Sequence, residues 1–158
     1  MIKTNAMRIL EQAGISYEVR QYEIDESDLS AERAAEILGH EQERIFKTLM
    51  LRGDRSGPMI ALAPAGTEID LRALALASGD KRVEMVPLRE VRSLTGYERG
   101  AVTALGIPRK YPVFIDETVE LWDIVGISAG VKGLEILLKP SDLLRATEAK
   151  KEDFARSV

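Results

Sequence analysis

The feature that most constrains this chain is a lysine inside a run of apolar residues. Residues 45–51 read IFKTLML, with a polar stretch before them and a Gly-Asp pair after them, which predicts a buried β-strand. Burying an unpaired ammonium group costs several kcal/mol. Lys47 therefore either lies on the solvent face with its stem on the surface, or points into a pocket that needs a cation. Strand alternation puts it on the same face as Ile45 and Leu49, and the pattern leaves both alternatives open.

Capping residues and hydrophobic periodicity divide the rest of the chain into mixed helices and strands. The helices are predicted over residues 5–13, from Ser30 to Gly39, over 71–77 and 87–91, and after a cap at Ser141. The strands are predicted over residues 15–22, 58–63, 83–86, 112–116, 119–122, 124–128 and 134–138. Residues 149–158 are expected to be frayed or weakly helical. This order predicts an α+β fold in a single compact domain, residues 1–158, with a mixed, largely antiparallel sheet wrapped by helices.

The composition excludes several kinds of active site. The chain has no cysteine and one histidine, His40. Disulfides, thiolate nucleophiles and cysteine-ligated zinc are therefore excluded, and a Ser-His-Asp or Cys-His triad is excluded unless His40 serves it. We expect no metal site and no cofactor.

Charge and hydropathy limit the partners. The net charge is −4, which argues against strong non-specific nucleic-acid binding and against DNA as a partner. No apolar run is long enough to span a membrane. The N-terminal residues lack the apolar core of a signal peptide, so we expect a cytoplasmic protein with no membrane partner.

Several polar stretches are candidate sites, and most are better explained as turns or loops. Residues 126–133 read GISAGVKG, which lacks the ending of a phosphate-binding loop but predicts a glycine turn whose N–H groups can bind an anion. Asp116 and Glu117 close a strand without a third carboxylate, so a solvated turn is the favoured interpretation. Glu135 follows the glycine turn and is a candidate partner for Lys47 if their strands are neighbours. The long aperiodic stretch over residues 95–106 is typical of a functional loop.

Four sequence blocks, in order along nearly the whole chain, resemble one family. They are FKTL at 46–49; DL at 70–71 with KRVEM at 81–85; TGY at 95–97 through LG at 105–106; and PVFID at 112–116 with SAG at 128–130 and GL at 133–134. The sequence is similar to the YbaK/EbsC family of free-standing aminoacyl-tRNA deacylases, relatives of the editing domain of bacterial prolyl-tRNA synthetases. The resemblance implies hydrolysis of the ester that joins a mischarged amino acid, cysteine or alanine, to tRNA for proline.

The resemblance also assigns roles to individual residues. It implies that Lys47, Gly100 and Ser128 are catalytic and that Tyr22 and Thr48 line the substrate pocket. An aminoacyl ester is already activated, so a cation and backbone N–H donors suffice for its hydrolysis, and a cysteinyl substrate can supply its own thiol. The implied partners are the CCA end of aminoacyl-tRNA and prolyl-tRNA synthetase.

Two positions depart from the family pattern. Ala104 stands where the family loop ends in proline, and Ser30 stands where cysteine-specific members often carry a bulky aromatic residue. Both are predicted to bear on the shape of the substrate pocket and therefore on the amino acid removed. Two alternatives remain: a non-catalytic tRNA- or ligand-binding module of the same fold, and an esterase of small aminoacyl compounds that never meets tRNA.

Overall fold

Short capped helices are spaced along the chain in the computed structural model, which describes residues 2–158. The helices are α1 (Asn5–Gln12), α2 (Ala31–Leu38), α3 (Leu71–Ser78), α4 (Leu88–Thr95) and α5 (Pro140–Thr147). The side chains of Thr4, Ser30 and Asp70 each accept the N–H of the residue three positions later, as N-caps do. Gly39 ends α2 in the left-handed conformation. The predicted starts of these three helices are therefore confirmed.

The strands are short, apart from the central hairpin. They are β1 (Glu18–Gln21), β2 (Phe46–Gly53), β3 (Gly57–Pro64), β4 (Thr67–Ile69), β5 (Val83–Met85), β6 (Val113–Asp116), β7 (Val125–Ser128), β8 (Leu134–Leu138), β9 (Lys150–Glu152) and β10 (Ala155–Ser157). Strands β2 and β3 form an antiparallel hairpin in which Lys47 lies opposite Ala63.

Three hydrogen-bonded sheets form the framework that residues 2–158 describe. The largest has the order β5-β2-β3-β6-β9, the second β1-β8-β7, and the third β10-β4. Pairings β3-β6 and β6-β9 are parallel and the other strand pairs are antiparallel. A single parallel bridge between Ile45 and Gly126 joins the first sheet to the second. The α+β class with a largely antiparallel mixed sheet is confirmed.

The two faces of the central hairpin bury different apolar clusters. Phe46 and Met50 of β2 belong to the larger cluster, which also contains buried apolar side chains from β7, β8 and α1. Leu51 lies on the opposite face and packs with Leu74 of α3 and with Phe154. Because strand alternation separates these sets, Lys47 shares its face with the second cluster and Thr48 shares its face with the first.

Two predictions of local structure are wrong, in addition to that for the C-terminal residues described below. Residues 119–122 are not a strand: a 3₁₀ helix spans Glu117–Leu121, capped by Asp116, whose carboxylate accepts the Thr118 N–H at 3.1 Å. Ser141 does not cap α5, since the N-cap is Lys139, without a side-chain bond, and Pro140 opens the helix.

The chain from residue 149 onward is neither frayed nor helical. It adds β9 in parallel to β6 and β10 in antiparallel to β4. Between these strands Phe154 is fully buried, and Asp116 accepts the N–H groups of Phe154 and Ala155 at 3.0 and 2.8 Å. One buried aromatic ring and one buried carboxylate thus fix a polar tail.

No helix within residues 2–158 combines the length and hydropathy required to cross a membrane.

Candidate active site

A cavity of about 460 Å³ opens at the free edge of β2. On one side β2 is held to β7 by the bridge at Ile45, and on the other Met50 accepts the N–H of Val86 at 3.0 Å. Between these contacts, Lys47 to Leu49 have no strand neighbour on this edge among the residues described. The gap between β7 and β5 along this edge therefore leaves a wedge, and the start of α2 and the loop around Gly100 complete its walls.

Lys47 lines this cavity with its ammonium group held in place. Its Nζ donates a hydrogen bond to the carbonyl oxygen of Thr67 at 2.6 Å and lies 3.8 Å from Oε1 of Glu32. The same Oε1 accepts the N–H of Gly66 at 2.6 Å, so Glu32 ties the first turn of α2 to the turn between β3 and β4. About a quarter of the Lys47 side chain is exposed (25%). The lysine is thus a positioned cation at the cavity and not a free surface side chain.

Six of the seven predicted site residues lie around this cavity. They are Tyr22, Ser30, Lys47, Thr48, Gly100 and Ser128. Ala104 is the exception: it lines a separate cavity with residues 106–114, 146–148 and 150 and packs against the larger core cluster. The structure therefore gives no support to a substrate contact by Ala104.

Two of these residues shape the cavity through the backbone. Gly100 has φ +84°, and a Cβ at this position would lie 3.1 Å from the Cβ of Leu29, so both backbone conformation and space favour glycine. The hydroxyl of Ser128 accepts the N–H of Gly130 at 3.1 Å and so closes the glycine turn. Ser30, the cap of α2, has its hydroxyl oxygen engaged by the N–H of Arg33 at 3.2 Å.

Glu135 is the most unusual polar group of the cavity. It lies in the apolar strand β8 and is 4% exposed. The suggested pairing with Lys47 is wrong, because the carboxylate within 4 Å of Nζ belongs to Glu32. Burial raises the pKa of Glu135 to about 8, so the carboxyl is largely protonated at neutral pH.

The two acidic residues of the cavity, Glu32 and Glu135, differ in how visible they are from the sequence. A glutamate within the strand LEILL is the same anomaly as a lysine within IFKTLML, and it marks Glu135 in the same way. Glu32 gave no distinct signal, because a glutamate in the first turn of a helix is common.

Within the part of the chain that the structure describes, no three His, Cys, Asp or Glu side chains cluster as metal ligands. The absence of a metal requirement remains a prediction for activity measurements.

Comparisons with known proteins agree with this architecture. A family model described as an aminoacyl-tRNA editing domain matches residues 26–146. A relative from Enterococcus faecalis, EbsC, is 40% identical over 148 residues, covering 94% of this chain and 90% of its own length; it is named as a candidate Cys-tRNA(Pro)/Cys-tRNA(Cys) deacylase.

Solved structures give the same result for the fold. The crystal structure of a candidate trans-editing enzyme for prolyl-tRNA synthetase superposes with a TM-score of 0.83 at 25% identity, covering 99% of this chain and 100% of that one. A hypothetical protein of 20% identity superposes with a TM-score of 0.87, covering 96% of this chain and 99% of its own, and supports the fold alone.

Proposed function

The chain belongs to the aminoacyl-tRNA editing domain family, and on that premise we propose that it is a trans-editing deacylase that hydrolyses the ester of mischarged aminoacyl-tRNA. The observation that carries the proposal is the cavity that brings Lys47 together with Gly100 and Ser128. One relative, EbsC, is named for cysteine on tRNA for proline or for cysteine. We propose cysteine or alanine on tRNA for proline as the substrate.

Lys47 supplies the positive charge in this mechanism. One of its three N–H bonds is used by the Thr67 carbonyl oxygen, so two remain for the substrate. A cation fixed beside an ester stabilises the oxyanion that develops on the carbonyl oxygen as the nucleophile attacks, before the bond to the ribose breaks. The contacts with Thr67 and Glu32 fix the ammonium before the substrate arrives, which is the condition for preorganised stabilisation.

The glycine segments supply the remaining polar contacts. Gly100 and Ser128 lie on the cavity wall, and their backbones are held by a left-handed conformation and by the closed turn to Gly130. Backbone N–H groups in such segments bind developing negative charge without a reorganisation cost. The attacking group is water or, for a cysteinyl ester, the substrate's own thiol.

The size of the cavity is suited to an aminoacyl group and not to a folded RNA. Much of its wall is apolar, with Phe46, Met50, Val86 and Val91 among the lining residues. We therefore infer that only the CCA end of the tRNA enters, while the rest lies outside. Because the net charge of −4 limits phosphate contacts, prolyl-tRNA synthetase is the proposed partner that delivers the tRNA, in the cytoplasm.

Incubating the protein with a panel of mischarged tRNAs tests this function. We expect release of cysteine or alanine from tRNA for proline and little release of correctly attached proline. Binding of the mischarged tRNA without turnover would instead favour the binding-module alternative. Equal hydrolysis of a tRNA-free aminoacyl-adenosine ester would favour the esterase of small compounds. Lys47→Ala serves as the inactive control in each case.

A further inference from the structure

Two polar side chains that line the cavity have no polar partner. The carboxyl group of Glu135 forms no hydrogen bond or ion pair with any of residues 2–158, and burial alone accounts for its raised pKa of about 8. The hydroxyl oxygen of Thr48 is also buried and lacks a hydrogen-bond partner in the same described range. Buried polar groups are nearly always hydrogen-bonded, so two such groups in one cavity call for a ligand.

Among residues 2–158 no charged side chain forms an ion pair with Glu135, and burial is the sole cause of its raised pKa. Its cross-strand neighbours are Ser128, which closes the glycine turn, and Arg20. Arg20 pairs with Glu18 at 3.0 Å. The other titratable groups around the cavity are Tyr22, Glu32, Lys47 and Arg99. Of these, Tyr22 lies close to Glu135: the pKa of the Tyr22 hydroxyl is raised mainly by burial and secondly by the Glu135 carboxyl. None of them neutralises the carboxyl.

The chemistry of an aminoacyl ester supplies the missing partner. Every such substrate carries a free α-ammonium group next to its ester carbonyl, whereas an N-acylated ester carries a neutral amide there. A buried carboxylate with no counter-ion gains most from a cation that brings its own hydrogen bonds. A threonine hydroxyl can accept a second N–H of the same group.

Resting on the proposed function, we propose that Glu135 and Thr48 form the subsite for the free α-amino group of the substrate, so that the enzyme selects aminoacyl esters over N-acylated ones. Upon binding, Glu135 gives up its proton to solvent and the ammonium–carboxylate pair forms in its place. No bond of the ester is made or broken in this step. The subsite is distinct from Lys47, which faces the oxygen of the ester.

Matched substrates test the subsite. Alanyl-tRNA for proline and its N-acetyl derivative are compared with the wild-type protein, Glu135→Gln and Thr48→Val. Glu84→Gln is the control, because Glu84 is exposed on β5 and outside the cavity. We expect Glu135→Gln to lower kcat/KM for the free-amine substrate by roughly 10- to 100-fold. For the N-acetyl substrate we expect a change within about twofold. Thr48→Val should give a smaller loss with the same selectivity, and Glu84→Gln no change.

The pH dependence gives a second readout. Because Glu135 must lose its proton to pair with the ammonium, KM for the free-amine substrate should fall as pH rises from 6 towards the pKa of the substrate's own amino group, and it should not fall in Glu135→Gln. Equal losses on both substrates, or an unchanged pH profile, would overturn the subsite. If the wild-type protein hydrolysed no mischarged tRNA at all, the proposed function itself would fail. Thermal melts of each variant separate a loss of folding from a loss of binding, and Thr48→Val keeps the test decisive if Glu135→Gln does not fold.

Discussion

Two buried carboxyl groups, Asp80 at the turn of the β2–β3 hairpin and Glu135 in β8 of the neighbouring sheet, show how differently two regions of the molecule are built. Asp80 accepts the N–H groups of Arg55 and Ser56 at 2.8 Å each and the hydroxyl of Ser78 at 2.6 Å. Burial raises its pKa, but these hydrogen bonds outweigh burial and lower the pKa to about 2. Asp80 is therefore ionised and holds the turn of the β2–β3 hairpin.

Glu135 is more deeply buried, 4% exposed against 9% for Asp80, and has none of these bonds, so burial raises its pKa to about 8. Asp80 therefore stabilises the fold through its hydrogen bonds, whereas Glu135 contributes no such bond to the fold. A polar group satisfied by the backbone stabilises the structure, whereas an unsatisfied group costs stability and is retained where a ligand uses it.

The pH dependence of stability tests this contrast most strongly. The unfolded chain releases the Glu135 proton near its usual pKa of 4.5, and the folded protein keeps it to about 8. The folded state therefore holds more protons in this window, and stability falls as pH rises, by at most about 1.4 kcal/mol per pH unit. Glu135→Gln should abolish this decline. Denaturant unfolding at pH 5 and pH 8.5 measures it, with a difference between the variants on the order of 4 kcal/mol at the higher pH. Parallel pH profiles would refute the unsatisfied state of Glu135.

Removing the Lys47 ammonium group tests the role of the cavity in deacylation. Lys47→Ala should lower the deacylation rate by roughly 10²- to 10³-fold and leave the protein folded. Lys47→Arg should not restore the rate, because the planar guanidinium places its charge and donors differently. Lys151→Ala is the control, because Lys151 lies on β9, pairs with Glu120 and is outside the cavity. Full activity of Lys47→Ala on its best substrate would disprove the assignment.

The elements predicted correctly are those whose signals are local. Ser30 and Asp70 cap helices through bonds to residues three positions away, and the β2–β3 hairpin is bounded by glycines and an apolar pattern. The terminal strands were missed because their order comes from long-range contacts. Lys150–Glu152 is polar throughout, and only its place beside β6 makes it a strand.

The residues of the candidate site likewise divide into those that the sequence indicates and those that only the packing reveals. Lys47 is visible from the sequence because a lysine within an apolar strand is costly, and the family resemblance supplied the other positions. The partner of that lysine was not visible, because Glu32 reaches it from α2 across the fold. Sequence spacing suggested Glu135 instead. Side-chain pairing between separate elements depends on packing angles that local patterns do not encode.

The hairpin end of the sheet should respond to mutation through stability alone. Asp80→Ala leaves the N–H groups of Arg55 and Ser56 without their acceptor and should cost about 1–3 kcal/mol of unfolding free energy. The wild-type contribution should itself fade as pH drops from the usual pKa of 3.8 towards about 2, because the proton then binds the carboxylate. Asp153→Ala, at an exposed aspartate, should change stability by at most about 0.5 kcal/mol. A loss of kcat/KM in folded Asp80→Ala would mean that the hairpin turn and the Lys47 cavity are coupled.

Position 104 should show the smallest effect, and for a geometric reason. Ala104 replaces the proline of the family loop, and the departure suggested altered substrate choice. Yet Ala104 lines a cavity different from that of Lys47, and the loop is held by the Tyr97 hydroxyl on the Leu105 carbonyl oxygen at 2.5 Å.

Within residues 2–158 the Ala104 N–H donates to no backbone carbonyl, so Ala104→Pro removes no backbone hydrogen bond. A proline that fits its backbone stabilises a protein by about 0.4–1 kcal/mol through the unfolded state. We expect a small rise in melting temperature and a ratio of kcat/KM for cysteinyl- and alanyl-tRNA that stays within about twofold of wild type. A larger change in that ratio would show that the loop transmits strain from position 104 to Arg99, Gly100 and Val102, the loop residues that border the Lys47 cavity. Substrate choice would then depend on the loop as well as on the residues that line the cavity.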